Sequence, residues 1–219
     1  MSEIVIFGTR NFAEIAHYYF THDSPHRVVA FTVDGQFVES SSFAGLPVVP
    51  FEELADKFPP AGHGMFVAVG HQQLNSQREA KVAAAEQAGY ELVSFVSTKA
   101  DVAPDFVLQP NTMIMERATL QPFVRVGRDS IIWSTTRIGF HTQIGDHCWV
   151  VCALFGESCV VGDNTFVGLN ATIAPGSKLG RGNIIGAGAL ITKDTKDFEI
   201  YRGQASTPSR VPSTRLKRI

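Results

Sequence analysis

Cysteine is scarce in this chain of 219 residues: Cys148, Cys152 and Cys159 are its only three, odd in number and confined to one short stretch. That pattern suits neither a disulfide framework nor a paired CxxC zinc site, and it reads as small buried thiols inside a repeat, with no metal site expected. An excess of one charge is missing too. Nineteen Lys+Arg against 21 Asp+Glu leave a formal net charge of -2 and a pI near 6.4, so no whole-protein field draws it to nucleic acid or an anionic membrane, and neither is expected as a partner. No uninterrupted apolar run approaches the roughly 20 residues that a membrane span needs. The opening MSEIVIFGTRNFAE lacks the basic region, long apolar region and cleavage site of a signal peptide, and a cytoplasmic location is expected. What is present, 44% hydrophobic and 18% charged residues, is the composition of an ordinary globular protein able to bury a sizeable core.

Self-similarity at a fixed period is the strongest signal in the chain. Ile114, Leu120, Val126, Ile132, Ile138, Ile144 and Val150 recur at intervals of six; after a gap of eleven, Val161, Val167, Ile173, Leu179, Ile185 and Ile191 resume the same step. Four residues after each aliphatic the chain places mostly small or β-branched residues, among them Ala118, Thr136, Thr142, Cys148, Thr165 and Ala189. Glycine often follows the aliphatic directly, as at Gly127, Gly139, Gly145 and Gly162. A period of six fits neither an α-helix nor plain strand alternation. It fits a β-solenoid of short strands and tight turns, three sixes to a coil, in which the aliphatics stack inward as the core and the small residues fill the corners.

Residues 1 to about 100 follow a different grammar. Ile4 to Phe7 reads as a strand, Gly8 as a turn, Asn11 as a helix cap and Phe12 to Phe20 as a helix. Val28 to Phe31 follows as a strand, Phe51 to Phe58 as a short helix, Met65 to Val69 as a strand, Asn75 to Gln87 as a helix stopped by Gly89, and Leu92 to Val96 as a last strand. Such alternation predicts a small parallel sheet with helices on its faces, whose ligands bind at the carboxyl ends of the strands. Those ends are the loops at Gly8 to Asn11, Val33 to Gly35 and Gly70 to Gln72. A dinucleotide fingerprint needs GxGxxG, and Gly8-Thr9-Arg10-Asn11-Phe12-Ala13 keeps only its first glycine, which argues against NAD although Asp34 follows the second strand. Backbone amides at the start of the first helix, with Arg10 nearby, can hold a phosphate; a plain strand-to-helix turn has the same spacing.

An N-terminal half with a Gly turn and an Asp after the second strand, followed by hexapeptide coils ending in Ile185-Gly-Ala-Gly-Ala-Leu-Ile-Thr-Lys-Asp194, resembles the hexapeptide-repeat sugar acyltransferases. The near branch of that family contains sialic acid O-acetyltransferases and N-acetyltransferases of nucleotide-linked amino sugars. The resemblance covers nearly the whole chain. It implies a Rossmann-like nucleotide-sugar-binding domain over 1–100, a left-handed parallel β-helix with a C-terminal tail over 101–219, a homotrimer, and acetyl-CoA lying along the groove between neighbouring β-helices. The family's nucleotide-sugar loops match Gly8, Thr9, Arg10, Asp34 and Gly70. Its CoA strip matches Gly156, Leu169, Ala187 and Lys193, whose ammonium would meet a CoA phosphate.

The chain departs from the family at the catalytic position. There the general base is a His two residues after a core aliphatic, followed by Asp or Glu; counted from Ile138, those places hold Phe140 and His141. A second family His corresponds to Trp149. Either His141 takes over through a local shift of the turn, or the reaction runs without the usual base. A sugar hydroxyl needs a positioned base to attack a thioester, and losing one costs about 10²-fold to 10⁴-fold. The neutral fraction of a sugar amine is already nucleophilic, so positioning plus an oxyanion-stabilising amide such as Gly156 N–H can carry much of the rate. The expectation is therefore N-acylation, with O-acylation and a non-catalytic hexapeptide protein as alternatives. His71, Phe140 and Trp149 are further candidates for substrate contact, the two aromatics alternatively covering a subunit interface. His147 is a weaker candidate than His141, and His17, His22 and His26 read as surface residues. The tail from Arg202 to Ile219, with Arg210, Arg215, Lys217 and Arg218, reads as a basic end able to reach a phosphate of CoA.

Overall fold

The computed structural model of the chain describes residues 2–211 and 213–215; Lys217 and Arg218 of the basic tail lie outside them. The N-terminal half is a six-stranded sheet. Its strands are β1 (Glu3–Phe7), β2 (Arg27–Val33), β3 (Ser42–Phe43), β4 (Leu46–Pro50), β5 (His63–Val67) and β6 (Glu91–Leu92), in spatial order β3-β4-β2-β1-β5-β6. All neighbours are parallel except the β3–β4 hairpin, which the sequence reading did not contain. Its turn, Ala44-Gly45, takes two positive φ angles, 47° and 80°, without the Asn-Gly or Asp-Gly signature that announces such turns.

Helix α1 (Asn11–His22) covers one side of the sheet, and α2 (Leu54–Lys57) with α3 (Ser76–Gln87) covers the other. Asn11 is the first residue of α1 rather than its cap. Arg10 holds the cap position, with extended backbone and no side-chain hydrogen bond to the helix. The stretch expected as one last strand is split in two. Glu91–Leu92 pairs with β5, whereas Phe95–Val96 pairs with Met113–Ile114 and is the first rung of the second half, so the coil begins ahead of residue 101.

That second half is a three-sided parallel β-helix. Its first face carries Phe95–Val96, Met113–Ile114, Ile131–Ile132, Trp149–Val150, Phe166–Val167, Ile184–Ile185 and Ile200–Tyr201. The second runs from Asp101–Val102 to Leu190–Ile191, and the third from Arg125–Val126 to Lys178–Leu179. Each inward aliphatic stacks on its counterpart one coil away, and the column forms one continuous buried core. The eleven-residue gap in the repeat is filled by Phe155, buried in that column. The turn from Val150 to Phe155 is one residue short. Elsewhere the left-handed residue stands three places after the aliphatic, as at Asp129, Thr135, His141 and His147; here it is Cys152, two places after Val150, at φ 45°.

The corner residues are small and buried, and some of them hydrogen-bond inward. Thr142 Oγ1 donates to the Gly156 carbonyl at 2.9 Å and accepts from the Cys159 amide at 3.1 Å; Ser130 Oγ does the same with Gly145 and Cys148. Cys148 and Cys159 occupy this column as free buried thiols, and burial pushes the Cys148 thiol up to about 12.

The outer surface of the first face does not meet solvent where the N-terminal half lies. Met113, Ile131 and Trp149 join Phe12, Ala16, Phe20 and Phe66 in one buried cluster, so α1 is enclosed between the sheet and the β-helix.

Coil-to-coil packing leaves no room for a side chain at several aliphatic-plus-one positions. A Cβ on Gly162 would lie 2.5 Å from the Arg181 amide nitrogen and 2.7 Å from its Cα, whereas Gly176, at φ 75°, faces open space. Gly162→Ala is expected to cost about 1–3 kcal/mol through overpacking. Gly176→Asn, which keeps a residue tolerant of the left-handed region, should cost clearly less. Equal shifts of the two variants in chemical unfolding would contradict this packing argument.

Candidate functional site

The carboxyl ends of β1, β2 and β5 carry the loops singled out from the sequence. Gly8 is required there by contact as well as conformation: its φ is 134° and a Cβ would meet the Ala68 carbonyl oxygen at 2.7 Å. The close approach holds the loop after β1 against the strand end of β5. Thr9 and Arg10 follow at the uncapped N-terminus of α1, where unpaired amides and the helix dipole favour an anion. Arg10 pairs with Glu39 at 2.6 Å, both exposed. Asp34 is already engaged, with Lys81 Nζ 2.8 Å from Oδ1 and 2.7 Å from Oδ2, and the Gly35 amide donates to Glu52 at 2.9 Å.

Gly70 and His71 lie on the loop after β5, which reaches across to the β-helix. The His71 ring is 4.8 Å from Phe166 and 5.2 Å from Trp149, centre to centre. Burial, then the nearby Arg78 charge, holds its pKa below the ordinary imidazole value, so it is neutral at neutral pH.

Trp149 is 4% exposed. Its ring meets Phe12 at 4.8 Å, Trp133 at 5.7 Å and the Arg78 guanidinium at 5.4 Å. Protein surrounds it, which makes it part of the joint between the halves and leaves no free face for a sugar. Phe140 is separated from it by architecture, standing exposed on the corner after the second face while Trp149 is on the first.

His141 occupies the left-handed position of that same corner, at φ 59°, and its ring stacks on Phe123 one coil earlier, 4.7 Å between centres and 12° between planes. Histidine is among the residues that tolerate this conformation. No carboxylate orients the ring among the described residues. His141 and Phe123 line a groove of about 1060 Å³ that also takes in Asp105, Val107, Arg125 and Gln143.

The oxyanion donor expected at Gly156 is not free, because its N–H donates to the Ile173 carbonyl at 2.9 Å as a rung of the coil ladder. Gly156 and Lys193 lie on or just after the second face's outgoing corner, Leu169 and Ala187 on its incoming one. The CoA-strip residues therefore flank one face instead of converging on a point. Leu169, Ala187 and Lys193 are exposed, and Lys193 makes no ion pair among the described residues.

The densest polar cluster is one the sequence reading passed over. Asp129 is fully buried and accepts from Arg78 Nε at 2.9 Å, from Asn111 Nδ2 at 2.7 Å and from His147 Nδ1 at 2.8 Å. Arg78, also fully buried, donates further to the carbonyls of Asp129 (2.9 Å) and His147 (3.1 Å) and to Asn75 Oδ1 (3.1 Å). Asn111 uses its side-chain amide as a strand substitute, accepting from the Val67 amide at 2.7 Å and donating to the Val67 carbonyl at 3.2 Å. The cluster thus pins both α3 and the end of β5 to the coil. The available signal was the spacing of eighteen between Asn111, Asp129 and His147, which stacks them on one corner in successive coils.

Burial alone would lower the His147 pKa. The hydrogen bond and charge of Asp129, with Glu79 and Asp146, outweigh it and hold the imidazole above its ordinary value. A raised folded pKa means that the charged His147 stabilises the fold fully below the unfolded pKa near 6.5, and that this contribution is lost as pH rises through the folded pKa. His147→Gln should therefore lower the melting temperature more at pH 6 than at pH 9, and a pH-independent difference would refute this account.

Residues 158–193 match the family model for the bacterial transferase hexapeptide (six repeats). Comparison with curated protein sequences gives no match. Among solved structures, the chain is similar to a variant of perosamine N-acetyltransferase from Caulobacter crescentus in complex with CoA and GDP-perosamine: 22% identity, covering 93% of this chain and 94% of that one, TM-score 0.82. WeeI from Acinetobacter baumannii AYE follows at 18% identity, with 91% and 96% covered and TM-score 0.73. The acetyltransferase domain of PglB from Neisseria gonorrhoeae FA1090 shares 19% identity over 95% and 100%, TM-score 0.63. These likenesses span both halves and establish a shared fold.

Proposed function

We propose that this hexapeptide-repeat chain is an acetyl-CoA-dependent N-acetyltransferase acting on the amino group of a nucleotide-linked deoxyamino sugar. The supporting observation is the fold match over both halves to a protein seen with CoA and GDP-perosamine, together with the loop after β5, whose His71 meets Phe166 of the β-helix. The N-terminal half serves as the Rossmann-like nucleotide-sugar-binding part. The β-helix is left-handed, as in the family the sequence resembles, and packs as a homotrimer with acetyl-CoA along its corners. Exposed Leu169 and Ala187 offer a surface along which an extended thioester can lie, and Lys193 offers a phosphate contact. A cytoplasmic role in surface-glycan assembly follows from the substrates.

The chemistry asked of the protein is modest. The neutral amine attacks the thioester carbonyl, the C–N bond forms as the C–S bond breaks, the amine releases a proton and the departing thiolate takes one up. Phe140 stands where the family keeps its base, His141 has no orienting carboxylate, and the Gly156 amide is committed to Ile173. Positioning therefore carries the rate, and an amine tolerates that arrangement far better than a hydroxyl.

Mass analysis of products from acetyl-CoA and a panel of nucleotide-linked 3-amino, 4-amino and non-amino sugars tests the reading. One acetyl group gained by an amino sugar alone is expected, and acetylation of hydroxyl sugars alone would sink it. His141→Ala should retain activity within about 10-fold, since an unoriented histidine supplies little of the 10² or more that a true base does. The same features of Phe140 and Gly156 favour a second reading, a hexapeptide protein without catalysis. Absence of transfer to every sugar, with acetyl-CoA binding lost in calorimetric titration, would select that one.

A further inference from the structure

The loop that carries Gly70 and His71 ends in an unusual backbone. Gln73, Leu74 and Asn75 have φ of 50°, 53° and 65°, three successive left-handed residues of which none is glycine. For Gln73 and Leu74 this conformation costs about 1–2 kcal/mol each, and for Asn75 less, so the turn persists only where its surroundings over-determine it. Local bonds hold it in part: the Asn75 amide to the His71 carbonyl and the Ser76 amide to the Gln73 carbonyl, both 3.2 Å, and the Ser76 hydroxyl to the Gln73 carbonyl at 2.7 Å. A second restraint ties the turn to the β-helix, through Asn75 directly and through Arg78 of α3. Asn75 is fully buried; its Oδ1 accepts from Arg78 Nη1 at 3.1 Å and its Nδ2 donates to the Asn164 carbonyl at 3.2 Å. Arg78 Nη1 also lies 3.5 Å from the Gly70 carbonyl. The remaining Arg78 donors are anchored on Asp129 and the His147 carbonyl in the coil.

We infer that Arg78 is a positioning residue for nucleotide-sugar binding: anchored on Asp129 of the β-helix, it clamps Asn75 and so holds the left-handed turn that presents Gly70 and His71 to the substrate. Arg78 touches no substrate itself. Three forked donors spread over a carboxylate, a side-chain amide and several carbonyls are what a guanidinium supplies and an ammonium does not. The inference rests on the reading under Proposed function for the identity of the ligand, but the clamp can be examined without it.

Two variants of the full chain test it. Arg78→Lys keeps the buried charge and loses the fork. Asn75→Gly keeps a residue suited to positive φ and removes the clamped side chain, which guards against a variant that fails merely because a buried charge was disturbed. In both, the KM for the nucleotide-linked amino sugar should rise about 10-fold or more while the KM for acetyl-CoA stays within about twofold, and amide exchange at Asn75 and Ser76 should accelerate. Unchanged exchange in both variants, or equal change in the two KM values, would overturn the inference. If the wild type acetylates no sugar, the reading of function fails, and titration with GDP and UDP decides the clamp instead. Loss of nucleotide binding together with faster exchange in the variants then upholds it, and wild-type protein that binds neither nucleotide overturns both.

Discussion

Every rung of the β-helix must sit in register on the one before it, and the placement of nearly every polar group of interest follows from that. A stacked aliphatic column buries a core only if each coil returns to the same position, which fixes the eighteen-residue interval and forces a left-handed residue at each corner. The interval sets His141 on Phe123 and His147 on Asp129. It also explains why histidine and asparagine are found at those corners at all, since Asn164 and Asn170 share the conformation with the two histidines. A histidine in this fold is a turn residue first; its partner one coil away decides whether it is anything else.

The two histidines show how much that partner matters. An imidazole stacked on phenylalanine has no carboxylate to orient it, whereas one bonded through Nδ1 to a buried carboxylate has its orientation fixed and its pKa raised. Yet the oriented one is used for assembly, because Asp129 is simultaneously the anchor for Arg78 and Asn111. A buried ion pair is weak evidence for stability, since its desolvation offsets much of its attraction. Its value here is specificity of docking: it admits one placement of α3 and of the end of β5 against the coil. A second latch lies at the other end of α1, where Asp23 accepts from Ser97, from the Thr98 amide and from the Thr98 hydroxyl. The loop after β5, α3 and the end of α1 are therefore tied to the coil by polar contacts as well as by apolar packing.

The repeat was legible because the core of a β-helix is made by local, strictly periodic residues: the two hexapeptide runs are the stacked column observed, and the irregularity between Val150 and Val161 is the one shortened turn. The parallel sheet was legible from strand-helix alternation. The β3–β4 hairpin was not, for want of a turn signature, and neither was the break after Leu92, because only Ser94 interrupts the apolar run from Leu92 to Val96, whose division depends on which sheet each end joins. Trp149 reads as a candidate for sugar contact because it stands at the place of a second family His and carries a ring able to stack on a sugar. It is inaccessible because the other half covers that face.

By itself the sequence determined the hexapeptide coil of one half and the strand-helix alternation of the other, with loops at the carboxyl ends of the strands, since these depend on short-range pattern and residue chemistry. Only the tertiary structure decided which polar residues act together. Arg78 and Asp129 are 51 positions apart, and no periodicity links a helix of one half to a corner of the other. Their meeting is set by how the two halves dock, through apolar packing of α1 between sheet and coil, and that is a property of the assembled surface rather than of any segment.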